Sequence, residues 1–134
     1  MSSAPTSGRP LTVLLVDDNA ETRAVLRKLL EAVDVAVVGE AEDGSEGVRL
    51  AEEHNPDVVL MDQRMPVMDG IEATRLITTS HPLTRVVILS SIEDQVLVRA
   101  AADAGAYAHV MKGGSAQPIL EAVLLAAEPQ NLEP

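Results

Sequence analysis

Apolar residues fall into two rhythms that alternate along the whole chain. Short continuous runs stand at residues 11–16 (LTVLLV), 35–41 (VAVVGEA), 57–61 (DVVLM), 85–89 (RVVIL) and 107–111 (YAHVM). Runs of that length, rich in Val, Ile and Leu, predict strands buried on both faces. Between them, apolar residues recur every three or four positions, which predicts helices over 20–33, 45–54, 71–79, 93–104 and 115–127. In the first helix Val25, Leu26, Leu29, Leu30 and Val33 form the stripe; in the last, Ile119, Leu120, Val123, Leu124 and Ala127 point inward. Asn55-Pro56, Asp69-Gly70, His81-Pro82 and Gly105 punctuate the series. Five strands alternating with five helices predict an α/β fold: right-handed crossovers, one five-stranded parallel sheet, and helices on both faces, a doubly wound arrangement.

The alternating part occupies residues 11–127 and makes one domain. Residues 1–10 (MSSAPTSGRP) carry the Ser, Pro and Gly of a disordered segment. Residues 128–134 read as a Pro-bounded tail or the start of a linker. With one Tyr and no Phe or Trp, the core must be aliphatic. The absence of Cys removes disulfide and thiolate chemistry. A net charge of −11 argues against direct gripping of nucleic acid by this segment and suits acids used for metal or protein contacts. No apolar run nears the roughly 20 residues of a membrane span, and residues 1–10 lack a signal-peptide stretch, so the expected location is the cytoplasm.

Four of the five strands end in polar residues: Asp17-Asp18, Asp62, Ser90 and Lys112. Parallel strands place all their carboxyl ends on one edge, where open α/β sheets bind ligands. Each residue alone has an ordinary explanation. Asp18, Asn19, Ser90 or Ser91 could cap a helix, and Lys112 could be a solvated loop lysine. Together, three carboxylates face one ammonium, and the excess negative charge calls for a cation. Oxygen ligands alone select a hard one, Mg²⁺ with Mn²⁺ as substitute. A metal, a carboxylate, a hydroxyl and an ammonium suit phosphoryl transfer. A dinucleotide or P-loop site is excluded, because neither glycine motif occurs. His54, His81 and His109 lack metal-ligand spacing, and Met61, Met65, Met68 and Met111 read as packing.

The segments LLVDDN, DVVLMDQRMPVMDG, VVILSS and GAYAHVMK, in that order, resemble the receiver domain of two-component response regulators. Across residues 11–127 the similarity is greatest to the subfamily with a C-terminal helix-turn-helix output domain. The resemblance implies a flavodoxin-like (βα)5 fold and a phosphoacceptor at Asp62. It implies Mg²⁺ held by Asp17, Asp18, Asp62 and the Arg64 main-chain carbonyl. Lys112 and Ser90 would serve the phosphoryl group, with a sensor histidine kinase as partner. It further implies a homodimer through the fourth helix, fifth strand and fifth helix. It does not imply a stand-alone enzyme, only a domain that assists its own phosphorylation and dephosphorylation. Two other readings stand beside it: a pseudo-receiver that binds partners without phosphorylation, and a haloacid-dehalogenase-type hydrolase. The second expects Asp-x-Asp after the first strand, where this chain has adjacent acids.

The chain departs from the family pattern in places. The aromatic switch position three residues before the lysine holds His109, expected to move inward with Ser90 on phosphorylation. Gly113 replaces a proline that often follows the lysine. Arg64 and Ile92 flank the path of attacking water and are expected to prolong the life of an aspartyl phosphate.

Overall fold

The structure is a computed structural model that describes residues 9–128. Ten elements alternate as β1 (Thr12–Val16), α1 (Ala20–Glu31), β2 (Ala36–Ala41), α2 (Gly44–His54), β3 (Val58–Asp62), α3 (Gly70–Ser80), β4 (Arg85–Ser90), α4 (Gln95–Asp103), β5 (Ala108–Met111) and α5 (Gln117–Ala126). The strands form one parallel sheet in the order β2-β1-β3-β4-β5. The expected fold class is therefore the one observed. The order reverses between β1 and β3, and the crevice there opens at the strands' carboxyl ends.

Strand alternation divides the core in two. Val13, Leu15, Val58, Leu60, Val87 and Leu89 face α1 and α5 and pack on Leu26, Leu30, Ile119 and Val123. Leu14, Val16, Val59, Met61, Val86 and Ile88 face the other way, onto Ala51, Ala73, Ile77 and Ala101. The strands read as continuous apolar runs because both faces are covered.

Side-chain caps set the helix starts. Asn19, Asp43, Asp69 and Asp94 each accept a backbone N–H from the first turn of α1 to α4. The Asp94 cap starts α4 at Gln95 rather than at Glu93. Ser115 Oγ likewise accepts from Gln117 N at 3.0 Å, so α5 begins two residues later than its periodicity suggests. Three residues expected on inward stripes lie outward: Val25 and Leu124 are about half exposed, and Val33 follows the end of α1. The buried face of α5 is completed by Ala122 and Ala126, small enough to seat the helix close to the sheet.

At the end of the segment expected to be disordered, residues 1–10, Arg9 makes two hydrogen bonds of 2.9 Å to Asp57. Residues 1–8 of that segment, and 129–134 of the expected tail, lie outside the described residues.

Candidate functional site

Asp17, Asp18 and Asp62 meet at the carboxyl edge of the sheet. One carboxylate oxygen from each lies within 4.8 Å of the others. Asp17 and Asp62 are buried, and Asp18 is exposed at the rim. The Asp17 backbone N–H donates to Ala41 O at 3.0 Å, and its Oδ1 accepts from Asn19 N at 2.9 Å. Asp62 is held from behind by the start of α3. Gly70 donates to Gln63 O at 3.0 Å, and a Cβ at Gly70 would stand 2.2 Å from Asp62 O. Only glycine permits that approach.

Lys112 binds across the site. Its Nζ donates to Asp17 Oδ2 at 3.0 Å and to Asp62 Oδ1 at 3.3 Å. The Lys112 N–H donates to Ser90 O at 2.8 Å, tying the end of β5 to that of β4. Burial opposes the lysine's charge, but the Asp17 hydrogen bond and the Asp62 charge outweigh it and raise its pKa. Burial and the Asp17 charge push the Asp62 carboxyl up to about 6, with Lys112 offsetting part of the effect.

The site therefore holds more negative charge than its one lysine neutralises. Among the described residues, Asp62 Oδ2 and both Asp18 oxygens have no protein partner. Closely spaced carboxylates with unengaged oxygens fit a hard divalent cation such as Mg²⁺.

The remaining sequence-predicted residues are placed differently. Ser90 is buried at the end of β4, but its hydroxyl is engaged. It accepts from Ile92 N at 3.1 Å and donates to Ile92 O at 2.8 Å. Arg64 and Ile92 are exposed on the loops after β3 and β4. His109 pairs with Ile88 and so shares the sheet face of α3 and α4. It is half-buried, and its Nε2 is enclosed without a hydrogen-bond partner. Tyr107 lies before β5, outside the strand.

Two features were missed from the sequence. Arg23 of α1 donates to the Asp17 main-chain carbonyl. Gln63, next to Asp62, is buried, with its Oε1 unpartnered among the described residues. A side chain reaching a distant carbonyl leaves no periodic trace; for Gln63, a polar residue continuing a buried run was the available signal.

Comparison with known proteins agrees with this geometry. Residues 13–124 match the family model described as the response regulator receiver domain. The chain is 44% identical over 119 residues to the transcriptional regulatory protein LiaR of Bacillus subtilis, covering 88% of this chain and 56% of LiaR. It thus spans little more than half the length of the curated relatives it matches. The response regulator domain of Thermotoga maritima CheB superposes with a TM-score of 0.83 at 36% identity, covering 94% of this chain and all of that one. A CheX-CheY complex with BeF3 and Mg²⁺ from Borrelia burgdorferi superposes with a TM-score of 0.84 at 30% identity, covering 89% and 90%. With its strand order, its acidic crevice and these matches in accord, the chain belongs to the response regulator receiver domain family.

Proposed function

We propose that this domain is a phosphorylation-operated switch in which Asp62 accepts a phosphoryl group from a sensor histidine kinase or a small donor such as acetyl phosphate. The observation that carries this reading is the convergence of Asp17, Asp18 and Asp62, with Lys112 bound to two of them. The attacking atom is a carboxylate oxygen of Asp62. A new P–O bond forms there while the bond from phosphorus to the donor's imidazole nitrogen or acetyl oxygen breaks, and the leaving group departs with the electron pair. Asp62 must be ionised to attack, and Lys112 favours that form. Asp17, Asp18, Asp62 and the Arg64 carbonyl would hold Mg²⁺, which when bound supplies positive charge to the transferring oxygens.

A groove of about 310 Å³ between α1 and the loop before α5 is lined in part by Lys112 and opens beside this edge. After transfer the product carries roughly −1.5 to −2 charge and three strong acceptors. Ser90 then exchanges its bond to Ile92 for one to a phosphoryl oxygen, and Lys112 pairs with another. The resulting shift of the loop after β4 acts on His109 and on α4, β5 and α5, where Val96, Met111 and Leu125 expose apolar surface suited to a second copy or an output module. Arg64 and Ile92 shield the acyl phosphate from water. The name of LiaR supports transcription as the output. The domain assists its own phosphorylation and dephosphorylation and turns over no separate substrate.

The test is incubation with acetyl phosphate and Mg²⁺, followed by intact-mass measurement. The expected result is addition of one phosphoryl group, absent in D62N and absent under chelation. An unmodified wild-type protein would overturn the reading.

A further inference from the structure

The Asp17-Asp18 loop is held by a chain of charges between α1 and the edge strand β2 that the phosphoryl chemistry does not use. Arg23 Nη1 donates to the Asp17 main-chain carbonyl, and Arg23 Nε donates to Glu40 Oε1 at 2.8 Å. Glu40, on the edge strand β2, accepts at its other oxygen from Arg27 Nε at 2.8 Å. Arg27 reaches on to Glu31 Oε2 at 3.0 Å. Arg23 is the most enclosed member, with a side chain 13% exposed, and it alone touches the loop that carries the acids.

Resting on the metal-binding reading above, we infer that Arg23 is a positioning residue: with Glu40 as its anchor, it fixes the Asp17 carbonyl and so sets the affinity of the acidic site for a divalent cation. The Asp17 carbonyl belongs to the peptide that joins the two acids, so holding it orients both. Asp17 is already constrained through its N–H by Ala41 and through its carboxylate by Asn19 and Lys112. Asp18 has no such side-chain partner, and its orientation depends on that peptide plane. Glu40 also neutralises the guanidinium, so a cation is brought close to a cation site at small electrostatic cost. Arginine suits the task because its planar fork makes both bonds at once, which the lysine ammonium does less well.

Charge and geometry give opposite signs here. As a nearby positive charge, Arg23 repels Mg²⁺, and its removal would tighten binding. As a positioning residue it favours binding, and its removal weakens it. The experiment titrates Mn²⁺ into wild type, R23Q and R23K, read by the electron paramagnetic resonance of free Mn²⁺ without phosphodonor, with urea unfolding of each protein in parallel. The expected result for R23Q is a loss of affinity of about tenfold, as for other outer partners of metal ligands. R23K keeps the carbonyl contact and recovers part of that loss. If R23Q binds Mn²⁺ as tightly as wild type or tighter, the positioning role is wrong. If R23Q does not fold, R23K decides, since loss of the forked contact must still weaken binding. A wild-type protein that binds no Mn²⁺ would remove the metal reading as well, whereas normal wild-type binding with unchanged variants removes only Arg23's role.

Discussion

Two aspartates flank the third strand, and they live in opposite circumstances. Asp57 sits just before β3, at the amino edge of the sheet. It accepts two hydrogen bonds from Arg9, one from Thr12 N at 2.9 Å and one from Thr12 Oγ1 at 3.1 Å. Burial disfavours its charge, yet the Arg9 and Thr12 hydrogen bonds outweigh that and hold its pKa below the usual carboxylate value. Asp62 closes β3 at the carboxyl edge. It has one lysine contact, two acids for neighbours and a pKa pushed up to about 6. The same residue type is satisfied at one end of the strand and frustrated at the other. Satisfied charge holds a fold together; frustrated charge is available for chemistry.

The largest expected contrast is in reactivity. With acetyl phosphate and Mg²⁺, D62N loses modification entirely, while D57N is modified at a rate within about twofold of wild type, because local unpairing costs stability of about 1–3 kcal/mol rather than site geometry. Mass spectrometry after timed incubation measures both. Loss of modification in a folded D57N would break the distinction between the two edges.

The second contrast is in the sign of the pH dependence. Between the ordinary value of 3.8 and about 6, folded Asp62 keeps a proton that the unfolded chain has released. Its ionisation therefore subtracts stability as pH rises through that window, by at most about 3 kcal/mol. Asp57 behaves in reverse. Its lowered pKa contributes stability above the ordinary carboxylate value, and that contribution is lost as pH falls through the folded value. In urea unfolding without metal, D62N should gain on wild type from about pH 4 to about pH 7, and Mg²⁺ should shrink the gain by stabilising wild type. D57N should be less stable than wild type at neutral pH and converge with it in acid. A D62N advantage that does not change with pH would mean that Asp62 is not frustrated in the folded state.

The two edges also differ in how far they could be read in advance. Strands and helices were legible because burial on two faces and on one face leave different periods, and the acids at strand ends because a parallel sheet must bring its carboxyl ends together. The sequence reads Asp57 only as the first residue of a strand, because its partners, Arg9 and Thr12, lie 48 and 45 positions away and leave no local trace. Arg23 and the engaged hydroxyl of Ser90 were hidden for a related reason: both bind main-chain carbonyls, which every residue type possesses. The outward turn of Val25 and Leu124 was hidden because spacing locates an apolar stripe without fixing its width.

The smallest contrast concerns backbone strain. At the amino edge, positive φ falls on Asp34 (66°), Asn55 (48°) and Gly105 (102°), residue types that tolerate it. At the carboxyl edge it falls on Gly113 (153°) and Gly114 (75°), which tolerate it, but also on Val67 (71°), a β-branched residue 83% exposed. Met68 N donates to Pro66 O at 2.7 Å across Val67, which makes this a γ-turn of the rare positive-φ kind. No side-chain burial compensates for the strain, so V67G should raise stability by about 1 kcal/mol, measured as a shifted urea midpoint with unchanged slope. Neighbouring hydrogen bonds pin the loop at both ends, from Gly44 N to Met68 O and from Gly70 N to Gln63 O. Relief at Val67 should therefore leave Asp62 in place, and the rate with acetyl phosphate should change by no more than about twofold. A V67G protein that is more stable but much slower would show that the strained turn is part of how this edge presents the Arg64 carbonyl, and the frustration of the site would then extend from its charges to its backbone.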